Sequence, residues 1–260
     1  MQGYYTALAS IYNQSMDDKP TDEPVSSRAL LMLSIAAIAV VWRLPYGQQV
    51  LYPFSLLATY AHEMGHGLAA LLVGAEFDRL ALYANGSGLA QWHGSPGRLG
   101  SALVAAGGLL GPSVAGVTLL LLSRSARNAR ILLAVLAAFV FFTLILWARN
   151  PFAIGFLLAT SAVFALCARW LPGLAAAFLL QFIAALLCLA WYRDLDYMFS
   201  AHAFVGGTST PSDSALIAEA LVLPYWFWGG FVAVVSLALL AIGLRVATRG
   251  EHRPTMNRIG

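Results

Sequence analysis

The chain has 260 residues, of which 60% are hydrophobic and only 10% charged, with a mean hydropathy of +0.74. A soluble domain carries about 25% charged residues, and a disordered chain is poor in apolar residues, so both classes are excluded in favour of a polytopic membrane protein. The net charge of +3 does not point to nucleic acid, because the basic residues, all Arg except Lys19, punctuate apolar runs as topology and interface anchors.

The first 27 residues are polar and mildly acidic, without the layout of a cleavable signal peptide. A spanning helix needs about 20 apolar residues. Runs that approach this are 29–42, 50–73, 99–122, 131–147, 151–167, 171–192 and 224–244. The first is short, but Arg28 and Arg43 bracket it and can snorkel to the interface. The expected fold is therefore an all-α polytopic membrane protein of about seven transmembrane helices. Residues 28–247 form the membrane domain, with polar tails at 1–27 and 248–260. Cys167 and Cys188 lie inside apolar runs and read as free thiols.

Between the second and third runs, 76–93 does not have a helical pattern. Leu80 and Leu82 alternate with Arg79 and Ala81, Asn85-Gly86-Ser87-Gly88 follows, and Leu89-Ala90-Gln91-Trp92 comes after it. Asn-Gly between short strand-like runs predicts a β-hairpin. In the third run Gly107 and Gly111 are spaced as GxxxG, which favours close helix packing over direct chemistry.

The chemistry sits in the second run, at His62-Glu63-Met64-Gly65-His66. On a helix His62 and His66 share one face, one turn apart, and can hold one Zn²⁺. Such a metal lowers the pKa of bound water toward about 7, and Glu63 is placed to take the proton. Three ionisable residues inside an apolar span are costly, at about 2.5–3.5 kcal/mol for a charge at the bilayer centre. A polar helix–helix network and a non-catalytic metal site are the blander accounts of the same residues.

Residues Tyr60 to Ala70 resemble the active-site helix of the site-2-protease family of intramembrane zinc metalloproteases. Ala106 to Pro112, ending Gly111-Pro112, is similar to that family's Gly-Pro helix, and the hairpin fits the strands beside its catalytic helix. Arg193 to Phe199, Ser212-Asp213-Ser214 and Leu223-Pro224-Tyr225-Trp226 look like a small bacterial branch. The resemblance implies zinc as cofactor, His62 and His66 as ligands, Glu63 as general base and acid, and a membrane-protein substrate in a bacterial inner membrane. The charge bias of the loops favours the opposite orientation to the family's, so orientation stays open. The family's third ligand is an Asp in an Asn-Pro-Asp-Gly or Leu-Asp-Gly motif, whereas here Asn150-Pro151 is followed by Phe152-Ala153.

Catalytic zinc takes three protein ligands and one open position. Asp213 is the first candidate for the third, because Ser212-Asp213-Ser214 opens a helix. The competing reading is a capping box over Thr210-Pro211-Ser212-Asp213, with Pro211 first in the helix and Asp213 third. Asp194 and Asp196 at the end of the sixth run, and His93 and His202, are further candidates. Asn150 reads as a helix cap or an oxyanion donor, and Tyr60 as packing. The rival functions are a non-catalytic scaffold or regulatory protein that keeps the helix, and a transporter, which the lack of repeats disfavours. Substrate identity and oligomeric state are not written in the sequence.

Overall fold

The computed structural model describes residues 27–123 and 125–249. The expected polar tails at 1–27 and 248–260 lie outside the described residues, except for Ser27, Thr248 and Arg249 at helix ends. Helix α1 is Ser27–Arg43 and α2 is Gly47–Leu72. Strands β1 (Glu76–Leu82) and β2 (Gly88–His93) follow, then α3 (Gly97–Leu122), α4 (Ala126–Leu146), α5 (Pro151–Trp170) and α6 (Gly173–Arg193). The chain ends with α7 (Leu195–Met198), β3 (His202–Val205), β4 (Thr208–Pro211), α8 (Asp213–Leu221) and α9 (Tyr225–Arg249).

Five helices among the described residues are long and apolar enough to cross a membrane: α3, α4 from Arg127, α5, α6, and α9 to Val246. This is an integral membrane protein, yet the seven expected spans are not all reached by that measure. Helix α1 is short, its apolar stretch being Ala29–Arg43. Helix α2 has 26 residues, but Gln48, Gln49, His62, Glu63 and His66 dilute its hydropathy. Outward faces fit a lipid solvent. On α4, Ile131, Val135, Phe139, Phe142 and Ile145 are all exposed, in a stripe of helical spacing.

The elements start and stop for local reasons. Ser125 caps α4 by accepting from the Asn128 N–H. Pro151 opens α5 at a position where its missing N–H costs nothing. Helix α3 is the central column and packs against α2, α6, α8 and α9. Its approach to α2 is set by glycine: a Cβ on Gly65 would overlap the Gly107 carbonyl, and Gly111 lies against the Ala61 carbonyl. The GxxxG spacing thus serves packing. The main core joins α1, α2, β1 and α3–α6 through residues such as Leu80, Leu133, Leu157 and Leu180, all 0% exposed.

Strands β1 and β2 pair antiparallel, Leu80 opposite Ala90 and Leu82 opposite Gly88, with a register shift at Asp78. On its other side β1 is also covered. The Leu80 N–H donates to the Trp147 carbonyl (2.7 Å) and the Arg149 N–H to the Leu80 carbonyl (3.2 Å). This leaves β2 with the free edge. A second antiparallel hairpin, β3–β4, turns at Gly206-Gly207. Gly-Gly between two short runs was a legible turn signal, but those runs are only four residues each.

Candidate metal centre

Helix α2 carries His62 and His66 one turn apart, with ring centroids 4.8 Å from each other and their Nε2 atoms 3.1 Å apart. His66 Nδ1 lies 2.8 Å from the Val104 carbonyl of α3. That carbonyl can only accept, so the Nδ1 carries the proton and the Nε2 lone pair is directed inward. Gly108 makes the arrangement possible, since a Cβ there would overlap the His66 ring.

The third group arrives from the far end of the chain. Asp213 Oδ2 is 3.0 Å from His62 Nε2, and Asp213 Oδ1 is 3.3 Å from His66 Nε2. One donor atom from each of His62, His66 and Asp213 falls within 4.8 Å of the others, the group of this kind found among the described residues. Bonds of about 2.0–2.1 Å at tetrahedral angles place donor atoms about 3.3 Å apart, so this donor set has the size and chemistry of a zinc site. Three neutral or anionic N and O donors suit a divalent cation.

The helix cap and the carboxylate that faces the imidazoles fall on different residues. Ser212 is the helix cap: its Oγ accepts from the Ala215 N–H (3.2 Å). Asp213 is the first helical residue, free to turn its carboxylate to the imidazoles, and Pro211 ends β4 instead of opening the helix. The capping-box assignment of Asp213 as third in the helix is thereby corrected.

Glu63 is 6% exposed. Its carboxylate lies against Gly88 of β2, where an added Cβ would sit 2.6 Å from Glu63 Oε1. It stands beside the two imidazoles but outside the donor triangle. A cavity of about 1400 Å³ opens onto the group, lined by Glu63, Tyr197, Trp92, Ser101 and Phe204 beside the three donors.

The other candidates are placed elsewhere. Asp194 is held by Arg193 (3.0 Å) where α6 ends. Asp196 is exposed, and its carbonyl accepts from Ser200. His93 pairs with Asp78 (2.8 Å) and Glu76 (3.5 Å) at the outer end of the first hairpin. The Asp78 hydrogen bond, then the charges of Asp78 and Glu76, raise its pKa above the ordinary value. His202 starts β3 and is exposed. The Tyr60 hydroxyl is bonded to Thr143 (2.9 Å), away from the donors.

Asn150 does neither of the things its position suggests. It makes no side-chain cap to α5, and its amide is not aimed at the metal group. Its Oδ1 accepts from the Leu82 N–H (3.2 Å) and its Nδ2 donates to the Leu82 carbonyl (2.6 Å). It acts as one more rung on the outer edge of β1. Tyr197 lies within the Arg193–Phe199 stretch but had no role assigned to it. Its hydroxyl accepts from the Asp213 N–H (3.2 Å), and its ring meets His62 edge-on.

A family model described as Peptidase M50B-like matches residues 31–243 of the chain. No curated protein and no solved structure gave a match.

Proposed function

The chain belongs to the Peptidase M50B-like family, the site-2-protease family of intramembrane metalloproteases, and from that premise we propose that it is a zinc-dependent endopeptidase hydrolysing peptide bonds of membrane-protein substrates. The membrane is the inner membrane of a bacterium in this reading. The observation that carries the proposal is the convergence of His62, His66 and Asp213 beside a buried Glu63 on one open cavity.

His62 and His66 would hold the metal through their imidazoles, and Asp213 through its carboxylate. Zinc, when bound, supplies a Lewis acid that brings the ionisation of water near neutral pH. Glu63 takes a proton from the attacking water and later hands it to the leaving amine nitrogen.

A helical substrate hides its carbonyls, so the scissile segment must be extended. The first hairpin offers the template. Leu80 and Leu82 turn their backbone groups toward Trp147, Arg149 and Asn150. In an antiparallel pair the opposite residues then face outward, so Ala90 and Gly88 present theirs along the free edge of β2. Both line the cavity. A substrate strand added there runs past Glu63 and the donor group.

The scaffold reading drew its support from the missing Asn-Pro-Asp-Gly motif. Asp213, brought in on α8, offers a replacement donor and weakens that support. The test is Glu63→Gln in reconstituted protein. Hydrolysis of a membrane-anchored substrate is expected to fall by about 10²–10⁴-fold with zinc retained, whereas full hydrolysis by the variant contradicts the proposal.

A further inference from the structure

We propose that Tyr197 is a positioning residue: its phenol oxygen anchors the first N–H of α8 and so sets where the Asp213 carboxylate stands between His62 and His66. This rests on the zinc reading above and adds a determinant outside the donor set.

The first N–H groups of a helix have no partner within it. At α8 the Ala215 N–H goes to the Ser212 side chain, and the Asp213 N–H goes to Tyr197 Oη at 3.2 Å. Two further bonds tie the preceding residue to the same stretch of chain. The Ser212 N–H donates to the Ala201 carbonyl (3.0 Å), and its Oγ donates to the Ser200 carbonyl (2.6 Å). The segment 197–201 therefore holds the backbone from which Asp213 projects.

Of these anchors Tyr197 is the one that reaches both sides of the metal group. Its ring centroid is 6.0 Å from that of His62, at an interplanar angle of 76°. Asp213 Oδ2 is buried without a hydrogen-bond partner and has the His62 imidazole 3.0 Å away. The Asp213 backbone is thus tied to Tyr197 at its N–H while its carboxylate meets both imidazoles. The base of Tyr197 is firm, because the next residue, Met198, is 1% exposed and packs with Ile217 of α8 and Val232 of α9. Partners outside the ligand set commonly change metal affinity by about 10–100-fold when removed.

The experiment compares wild type, Tyr197→Phe and Tyr60→Phe as full-length protein in detergent. Tyr60 is the control, a buried phenol on the ligand helix bonded to Thr143. Zinc affinity is read by equilibrium competition with a chelator, and site geometry by the visible absorption of the cobalt(II)-loaded protein. Tyr197→Phe is expected to bind zinc about 10-fold more weakly and to shift the cobalt bands, with Tyr60→Phe matching wild type. Wild-type affinity and spectrum in Tyr197→Phe overturn the inference and leave the zinc reading standing. An equal loss in Tyr60→Phe also overturns it, because the effect is then general to buried phenols. Wild type that binds no zinc overturns the zinc reading and this inference together. If Tyr197→Phe is not recovered folded, 3,5-difluorotyrosine at 197 keeps the ring and hydroxyl but weakens the acceptor. A smaller loss in the same direction then supports the inference, and unchanged affinity overturns it.

Discussion

The two hairpins form facing walls of one cavity, and they are held very differently. The first is fastened along its whole length. Tyr52 and Thr59 of α2 donate to the Ala84 and Gly86 carbonyls in its turn. Trp147, Arg149 and Asn150 occupy the outer edge of β1, and Phe77 stacks on Trp147 at 4.8 Å. Arg79 and Gln91 bond across the strands. The second hairpin is held at its base by Ser212 and at its tip by the Gly206 N–H to Ser87 Oγ, at 3.3 Å. Its Phe204 is 75% exposed. An isolated two-stranded ribbon has little stability of its own. In the proposed reading β2 templates a substrate strand, and a template benefits from being rigid. The less braced second hairpin leads directly into the helix that Asp213 opens.

The contrast can be broken at either wall. The largest effect is expected at Asn150→Ala, which strips both backbone groups of the fully buried Leu82 of their partner. A loss of about 2–3 kcal/mol is expected, read by denaturant titration in mixed micelles. A loss below about 0.5 kcal/mol would show that the rung does not brace β1. Gly206→Ala acts on the other wall. Gly206 has φ +57°, and an added Cβ would sit 2.8 Å from Tyr83 Cζ. The conformational cost alone is about 1–2 kcal/mol. Amide exchange is expected to rise across 202–211 and to stay unchanged in β1 and β2. Equal rises in both hairpins would deny that β1 and β2 are braced independently of the second hairpin.

The smallest effect sharpens the outer end of the first hairpin. His93 is raised in pKa by its hydrogen bond to Asp78. A group raised on folding contributes stability that is fully present below its unfolded pKa of about 6.5 and lost as pH rises through the folded value. Stability measured upward from pH about 6 should therefore decline slightly, and His93→Asn should flatten the decline. A steeper decline in the variant would contradict the pairing.

Much of the site was legible because its chemistry is local in sequence. His62 and His66 share one helix face by spacing alone, with Glu63 next to the first, and Asn85-Gly86 marks the first turn. The third donor was harder to read, since nothing local distinguishes a capping Asp from one that crosses the fold. Only the packing of α8 on α3 brings Asp213 to α2. Asn150 illustrates the same limit. Its place before Pro151 fits a helix cap, and the competing bond to Leu82 depends on β1 lying alongside the α4–α5 junction. The span count was obscured by α2, whose polar residues lower its hydropathy where function needs them. Tyr197 carried no signal, as an aromatic near a helix end in a membrane protein is common at interfaces.

The central claim is that His62, His66 and Asp213 hold one metal ion, and its most direct test is zinc per chain in the purified protein. Wild type, His66→Ala, Asp213→Ala and Asp194→Ala should be measured side by side by elemental analysis. About one zinc per chain is predicted in wild type and in Asp194→Ala, and essentially none in His66→Ala and Asp213→Ala. Zinc retained in Asp213→Ala, or absent from wild type, would contradict the account.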